Sequence, residues 1–192
     1  MPASRRVRGF TLLELMTTIT IVAVLLAIGV PSLRGMIQRN RVSSASNDLA
    51  ASIAYARTTA INRGQLVSMC PSTDGDSCTS GGSDFEPGWI VYTYPAGAAS
   101  ANKAYDSTAT LLRAVDQRAG VSIHALQTSV ITFGLQGQLR GPDTALVFIT
   151  CARSGDGGIG TSTATAPGSR LDVNGSGSAN TRLLAPSASC NS

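Results

Sequence analysis

The feature that most constrains this chain is an apolar run from Phe10 to Leu33 that carries a single charged residue, Glu14. At about 1.5 Å per helical residue, such a run is long enough to cross a hydrocarbon layer of about 30 Å. Arg5, Arg6 and Arg8 precede it. Basic residues on the leading side hold that end in the cytoplasm, so the remainder of the chain is expected to be exported. Two ordinary readings are a secretory signal cut near the small residues from Leu26 to Gly29, and a plain membrane anchor. Neither accounts for Glu14. A carboxylate at that depth costs about 3 kcal/mol in a bilayer and so calls for a partner.

Gly9-Phe10-Thr11-Leu12-Leu13-Glu14-Leu15 resembles the prepilin motif shared by type IV pilins, type II secretion pseudopilins and competence pilins. That resemblance implies a membrane aspartyl peptidase that cuts between Gly9 and Phe10 and N-methylates the new terminal Phe10. It also gives Glu14 a partner. The cationic terminus of one subunit can neutralise the glutamate of a neighbour inside an apolar filament core, where an uncompensated charge would be costly.

Removing this leader changes the charge argument. The formal charge is +4, but without Arg5, Arg6 and Arg8 the 15 basic residues fall to 12 against 11 acidic ones. General electrostatic attraction to nucleic acid is therefore weak, and any such contact has to be local. Four cysteines, Cys70, Cys78, Cys151 and Cys190, sit behind the export segment. An even count in an oxidising compartment predicts two disulfides, with three possible connectivities. Pairing Cys70 with Cys78 and Cys151 with Cys190 is preferred, because each bond then closes a loop and fastens a different region. Zinc is not expected, because there is no C-x-x-C pair and His124 is the single histidine.

Pro31 interrupts the helical pattern and predicts a kink, because it removes one backbone hydrogen bond. The resemblance adds the expectation of local helix melting there during assembly. Beyond it the apolar positions become one-sided: Val42, Ala45, Leu49, Ile53, Ala56 and Ala60 recur at threes and fours, which predicts an amphipathic helix lying on a sheet. Arg34, Arg39, Arg41 and Arg57 occupy or flank its polar side.

After Gly64, short runs of strand type alternate with turn residues: 65–70, 89–94, 111–115, 121–126, 130–135, 145–151 and 170–173. The segments 71–88 and 153–169 are expected to be surface loops. Asp74, Asp76 and Asp84 in the first loop lack the spacing of a calcium loop. The predicted fold is α+β, a long N-terminal helix packed on an antiparallel β-sheet head. Its expected parts are a cleaved leader (1–9), a transmembrane and filament-core helix (10–33), an amphipathic helix continuing into the head (34–63) and a β-rich periplasmic or extracellular head (64–192).

The head has a resemblance of its own. Met69-Cys70-Pro71-Ser72, a Gly/Asp loop containing Cys78, Gly88-Trp89-Ile90-Val91-Tyr92, Ile131-Thr132-Phe133 with Gly137, and Leu146 to Cys151 resemble the GspH/FimT family of minor pilins and pseudopilins. The resemblance implies a structural subunit rather than an enzyme, without a cofactor. The implied partners are other major and minor pilins or pseudopilins, the prepilin peptidase and the inner membrane. The subunit would pass from a single-pass inner-membrane form with a periplasmic head into a pilus or pseudopilus, at its tip in one version. Three roles are compatible: priming or capping a type IV pilus, the equivalent place in a type II secretion system, and DNA capture for natural transformation.

For DNA capture, the resemblance points to a Gly-Arg-x-Arg motif near the C-terminus. Here Gly177 is followed by Ser178, so the motif is broken. Arg170 and Arg182 remain as candidate phosphate contacts with Asp172 between them, and phosphate binding gains from clustered cations. No nucleophile elbow, phosphate loop or second histidine is present in the sequence.

Overall fold

The structure is a computed structural model that describes residues 9–98, 101–127, 129–141, 145–153, 155 and 157–191, excepting the side chains of Pro31 and Ser32. Arg5, Arg6 and Arg8 lie outside the described residues.

Helix α1 spans Leu12–Arg63. The Thr11 hydroxyl accepts the Glu14 amide N–H at 3.2 Å, satisfying one donor that a helix start leaves open. At the far end Gly64 adopts φ 59° and the Gln65 N–H donates to the Ala60 carbonyl at 3.3 Å, a cap that needs the left-handed conformation glycine supplies. Helical structure continues through Pro31. Three threonines in the apolar run donate their hydroxyls to helix carbonyls: Thr17 to Glu14, Thr18 to Leu15 and Thr20 to Met16, at 2.8–3.0 Å. No hydroxyl among them needs water, which suits an apolar surround.

The chain forms two compact units, one ending at Ile37 and one running from Gln38 to Ser192. In the first, the large apolar side chains from Phe10 to Ile37 are all exposed, from 41% for Val30 to 80% for Phe10. Nothing within this unit covers them.

In the second unit, the predicted apolar stripe is the buried face of the helix: Val42, Ala45, Leu49, Ile53, Ala56 and Ala60 are each at most 2% exposed. Among the described residues nine strands form two antiparallel sheets rather than one. Strands β1 (Val67–Pro71), β2 (Gly88–Thr93), β3 (Thr110–Asp116), β5 (Ile131–Phe133) and β6 (Leu139–Arg140) make a sheet in the order β3-β2-β1-β5-β6. Strands β4 (Val121–Ala125), β7 (Ala145–Ala152), β8 (Ser169–Asn174) and β9 (Ala179–Leu183) make the other, in the order β4-β7-β8-β9.

Both sheets and the helix share one core. Met69, Trp89, Val91 and Phe133 from the first sheet and Ile123, Phe148, Leu171 and Val173 from the second join the helix stripe. Strand alternation sends the intervening residues to the other faces. Cys70, Ile90 and Tyr92 form a second cluster with Leu66 and Tyr94, while Val147, Ile149 and Cys151 form a third with Cys190. β2 is therefore buried on both sides, which explains why it reads as an unbroken apolar run. A buried bond between the Ser46 and Ser169 hydroxyls, 2.8 Å, ties the helix to β8.

Three sequence expectations need adjustment. β6 and β9 were absent from the expected strands: β6 has two residues, and all five of β9 are exposed, so neither shows apolar alternation. The segment 71–88 is more than a surface loop, because Phe85 is fully buried and meets Phe148 edge to face at 5.3 Å. Arg57, expected on or beside the polar side of the helix, is half-buried against the head, with its Nε donating to the Gly137 carbonyl at 3.1 Å.

Candidate functional site

Two places in the fold hold the residues singled out by the sequence. At the N-terminal end, Gly9 and Phe10 stand just ahead of the helix cap, exposed and outside regular structure. A protease needs an accessible bond outside regular structure, which the interior of a helix does not offer. Glu14 occupies the third helical position, exposed, four residues after Phe10. Placed there, its carboxylate faces the positive end of the helix dipole.

The second place is the face of β8 and β9 that points away from the core. Arg170 and Arg182 are paired across the two strands. Asp172 takes both: Arg170 Nε lies 2.8 Å from Oδ1 and Arg182 Nε 3.3 Å from Oδ2. One carboxylate thus bridges two guanidiniums, leaving the trio at a single net positive charge. The structure does bring the two arginines together, but around an acid that competes with phosphate. Gly177, the glycine in the broken motif, has a separate reason to be there. It adopts φ 79° in the β8–β9 turn, and a Cβ would fall 2.1 Å from the Gly137 carbonyl oxygen.

Elsewhere, polar groups are occupied with holding the head together. Cys70 is bonded to Cys78 and Cys151 to Cys190, with Cα separations of 5.6 and 6.2 Å. The Asp74 carboxylate accepts from the Asp76 and Ser77 amides and from the Ser72 and Ser77 hydroxyls, at 2.6–3.0 Å. The Ser77 hydroxyl and the two amides hold its pKa well below the ordinary carboxylate value. Asp84 instead pairs with His124 Nδ1 at 2.7 Å. Among the described residues no group of three potential ligands is placed to hold a metal ion. Arg153 and Glu86 form an ion pair at 3.2 Å that is 7% and 15% exposed, fastening the 71–88 segment to the end of β7. Nothing in the sequence marks this pair, since the two residues are 67 positions apart.

Residues 45–177, more than half of the chain, match the family described as type II transport protein GspH. This chain belongs to the GspH family. Residues 4–30 of this GspH-family chain also match the prokaryotic N-terminal methylation motif. Its fold is similar to that of the type IV minor pilin FimU of Pseudomonas aeruginosa strain PAO1. In one crystal form, the alignment covers 78% of this chain and 92% of that one at 21% identity, with a TM-score of 0.51. In a second crystal form, the figures are 74%, 92%, 21% and 0.48. At this identity the likeness concerns the fold, a long helix packed on antiparallel sheets. The GspH-family chain is thus a structural subunit of the minor pilin or pseudopilin kind. Its apolar N-terminal helix and methylation motif fit an inner-membrane anchor with a periplasmic head.

Proposed function

We propose that the chain is made as a prepilin, cut between Gly9 and Phe10, methylated on Phe10, and built into a type IV filament as a minor subunit of its priming or tip complex. One observation carries this reading: an uncovered apolar helix begins two residues after an exposed Gly9-Phe10 bond outside regular structure, with Glu14 as the one charge between Phe10 and Leu33. In the filament the Phe10 ammonium of one subunit neutralises Glu14 of its neighbour. Pro31 supplies the place where the helix gives way during assembly, because its ring leaves one carbonyl of the preceding turn without a donor. The decisive measurement is the mass of the mature N-terminal peptide. A chain beginning at methylated Phe10 is expected, and one beginning near Gly29 overturns the proposal.

A pseudopilus of a type II secretion system is the second reading, favoured by the description of the matched family. Deletion of the gene separates the two: loss of surface pili points to the first, and loss of secreted enzymes with pili intact points to the second. DNA capture finds less support, because Asp172 already engages Arg170 and Arg182. Duplex DNA at low salt is expected to pass the protein unretained. Retention abolished by Arg170→Ala and Arg182→Ala would reverse that judgement.

A further inference from the structure

The first sheet carries a second apolar cluster on the face opposite the shared core, made by Leu66, Cys70, Ile90, Tyr92 and Tyr94. All five are at most 5% exposed. Part of what covers them is a strap, residues 101–109, on the way from β2 to β3, from which Tyr105 and Ala109 pack onto the cluster.

The strap has two anchors. At the first, the Asn102 N–H donates to Thr132 Oγ1 at 2.8 Å. Beside it the Lys103 carbonyl accepts from the Tyr92 and Tyr94 hydroxyls at 2.5 and 2.6 Å, and the Lys103 N–H donates to the Tyr94 hydroxyl oxygen at 3.0 Å. Burial pushes the Tyr92 phenol well above its ordinary pKa, so it stays a donor. At the second anchor the Tyr105 N–H donates to Cys78 Sγ at 3.2 Å, and the Tyr105 ring meets Tyr92 edge to face at 5.3 Å. That sulfur is half of the Cys70–Cys78 bond.

The two disulfides differ in how far a reagent can reach them. Cys70, Cys151 and Cys190 are at most 3% exposed, whereas Cys78 is half-buried. Thiol–disulfide exchange begins with a thiolate reaching the sulfur it attacks, and of the four sulfurs that of Cys78 offers the approach. Next to Cys78, the Thr79 N–H returns to the Pro71 carbonyl at 2.8 Å. The disulfide is what fixes the sulfur itself beside Tyr105.

We propose that Cys70–Cys78 is a thiol–disulfide exchange site whose oxidation latches the 101–109 strap over the tyrosine-bearing face of the first sheet. An external dithiol opens it. One thiolate of the reductant attacks Cys78 Sγ, and Cys70 leaves as a thiolate that takes up a proton. The second thiol of the reductant then displaces Cys78, and the reductant departs as a cyclic disulfide. Two electrons and two protons pass from the dithiol to the protein. A disulfide oxidant drives the reverse step, so the face is fully closed only once the bond has formed. On opening, the strap keeps its hold at Asn102 and Lys103, loses the one at Tyr105, and is freed from Ala104 onward, while the buried Cys151–Cys190 bond stays intact. The inference does not depend on the filament reading.

Lys103 is the single lysine of the chain, and the peptide bond after it lies between the two anchors, with Lys103 and Ala104 both exposed. A lysine-specific endopeptidase therefore cuts at one place and reports on the strap. The test incubates the full-length chain in detergent with dithiothreitol and no denaturant, quenches by alkylation, maps the alkylated cysteines by peptide mass and measures the rate of cleavage after Lys103. Alkylation at Cys70 and Cys78 is expected before any at Cys151 and Cys190. Cleavage is expected to rise about tenfold in step with it, the scale set by losing one hydrogen bond and its packing from a local anchor. Joint replacement Cys70→Ala and Cys78→Ala should give the faster cleavage without reductant, and the reduced wild type keeps the test open should that variant not fold. Loss of both disulfides together, resistance of both, or selective reduction with cleavage no faster than in the oxidised protein overturns the inference.

Discussion

Glu14 sits where a helix start and a membrane make opposite demands on a carboxylate. The third position of α1 favours an acid by the helix dipole, whereas a lipid surround penalises it. In the proposed filament an ammonium brought in by a neighbour meets both, so Glu14→Ala is expected to leave export and the head fold unchanged while reducing recovery in sheared filaments. Normal recovery would show the pairing to be dispensable. In the head, Phe85 is the residue to test for packing. It is fully buried against Phe148, and Phe85→Ala is expected to lower stability by about 3–5 kcal/mol, read as a shift of the denaturation midpoint. Asp74 tests the electrostatics. Its folded pKa is depressed by the Ser77 hydroxyl and the loop amides, so the stabilisation it contributes is present above the unfolded value of about 3.9 and is lost only as pH falls through the lower folded value. An NMR titration of its carboxyl carbon should accordingly give a midpoint below the ordinary range, and Asp74→Asn should remove that pH dependence.

Among the elements, the two disulfides close loops of very different length. Cys151 and Cys190 are 39 positions apart and Cys70 and Cys78 are 8 apart. Loop-closure entropy then gives about 4 kcal/mol for the first and about 2.5 kcal/mol for the second. Paired replacement by alanine should therefore lower the stability of the oxidised protein more at Cys151/Cys190, and the reverse order in a denaturant titration would show that native-state packing dominates over chain entropy. The turns at Gly137 and Gly177 meet face to face with Arg57 against both, a junction between the two sheets. Leu139 of the β5–β6 hairpin donates to the Gly175 carbonyl at 2.9 Å, extending that junction. Gly177→Ala introduces a side chain at positive φ and at 2.1 Å from a carbonyl, so it should loosen this end of the head, visible as faster amide exchange at Leu139 and Ser178.

For the molecule as a whole, the anchor and the head follow different rules, and the sequence spoke to them unequally. The apolar run, its one acid and the helical stripe from Val42 to Ala60 were legible because each depends on neighbours in sequence: hydropathy sets the run and the 3.6-residue period sets the stripe. The strands of the core, such as Trp89–Tyr94 and Ala145–Cys151, were legible for the same reason. β9 was not, because an exposed edge strand carries no apolar alternation and exists only through its register with β8. The partition into two sheets was equally hidden, since the choice of neighbour for each strand is a long-range pairing. Phe85 looked like part of a polar loop until Phe148, 63 residues later, received it. Arg170 and Arg182 could be found in the sequence as possible phosphate contacts, with Asp172 between them. That the acid reaches both was decided by the cross-strand register, which sets their guanidiniums on either side of one carboxylate. The sequence by itself thus determined the apolar helix, its acid and the face of the helix that is buried, all local matters of hydropathy and spacing. The tertiary structure alone decided which charges cancel and which strands pair, because both depend on groups distant in the chain being brought within hydrogen-bonding reach.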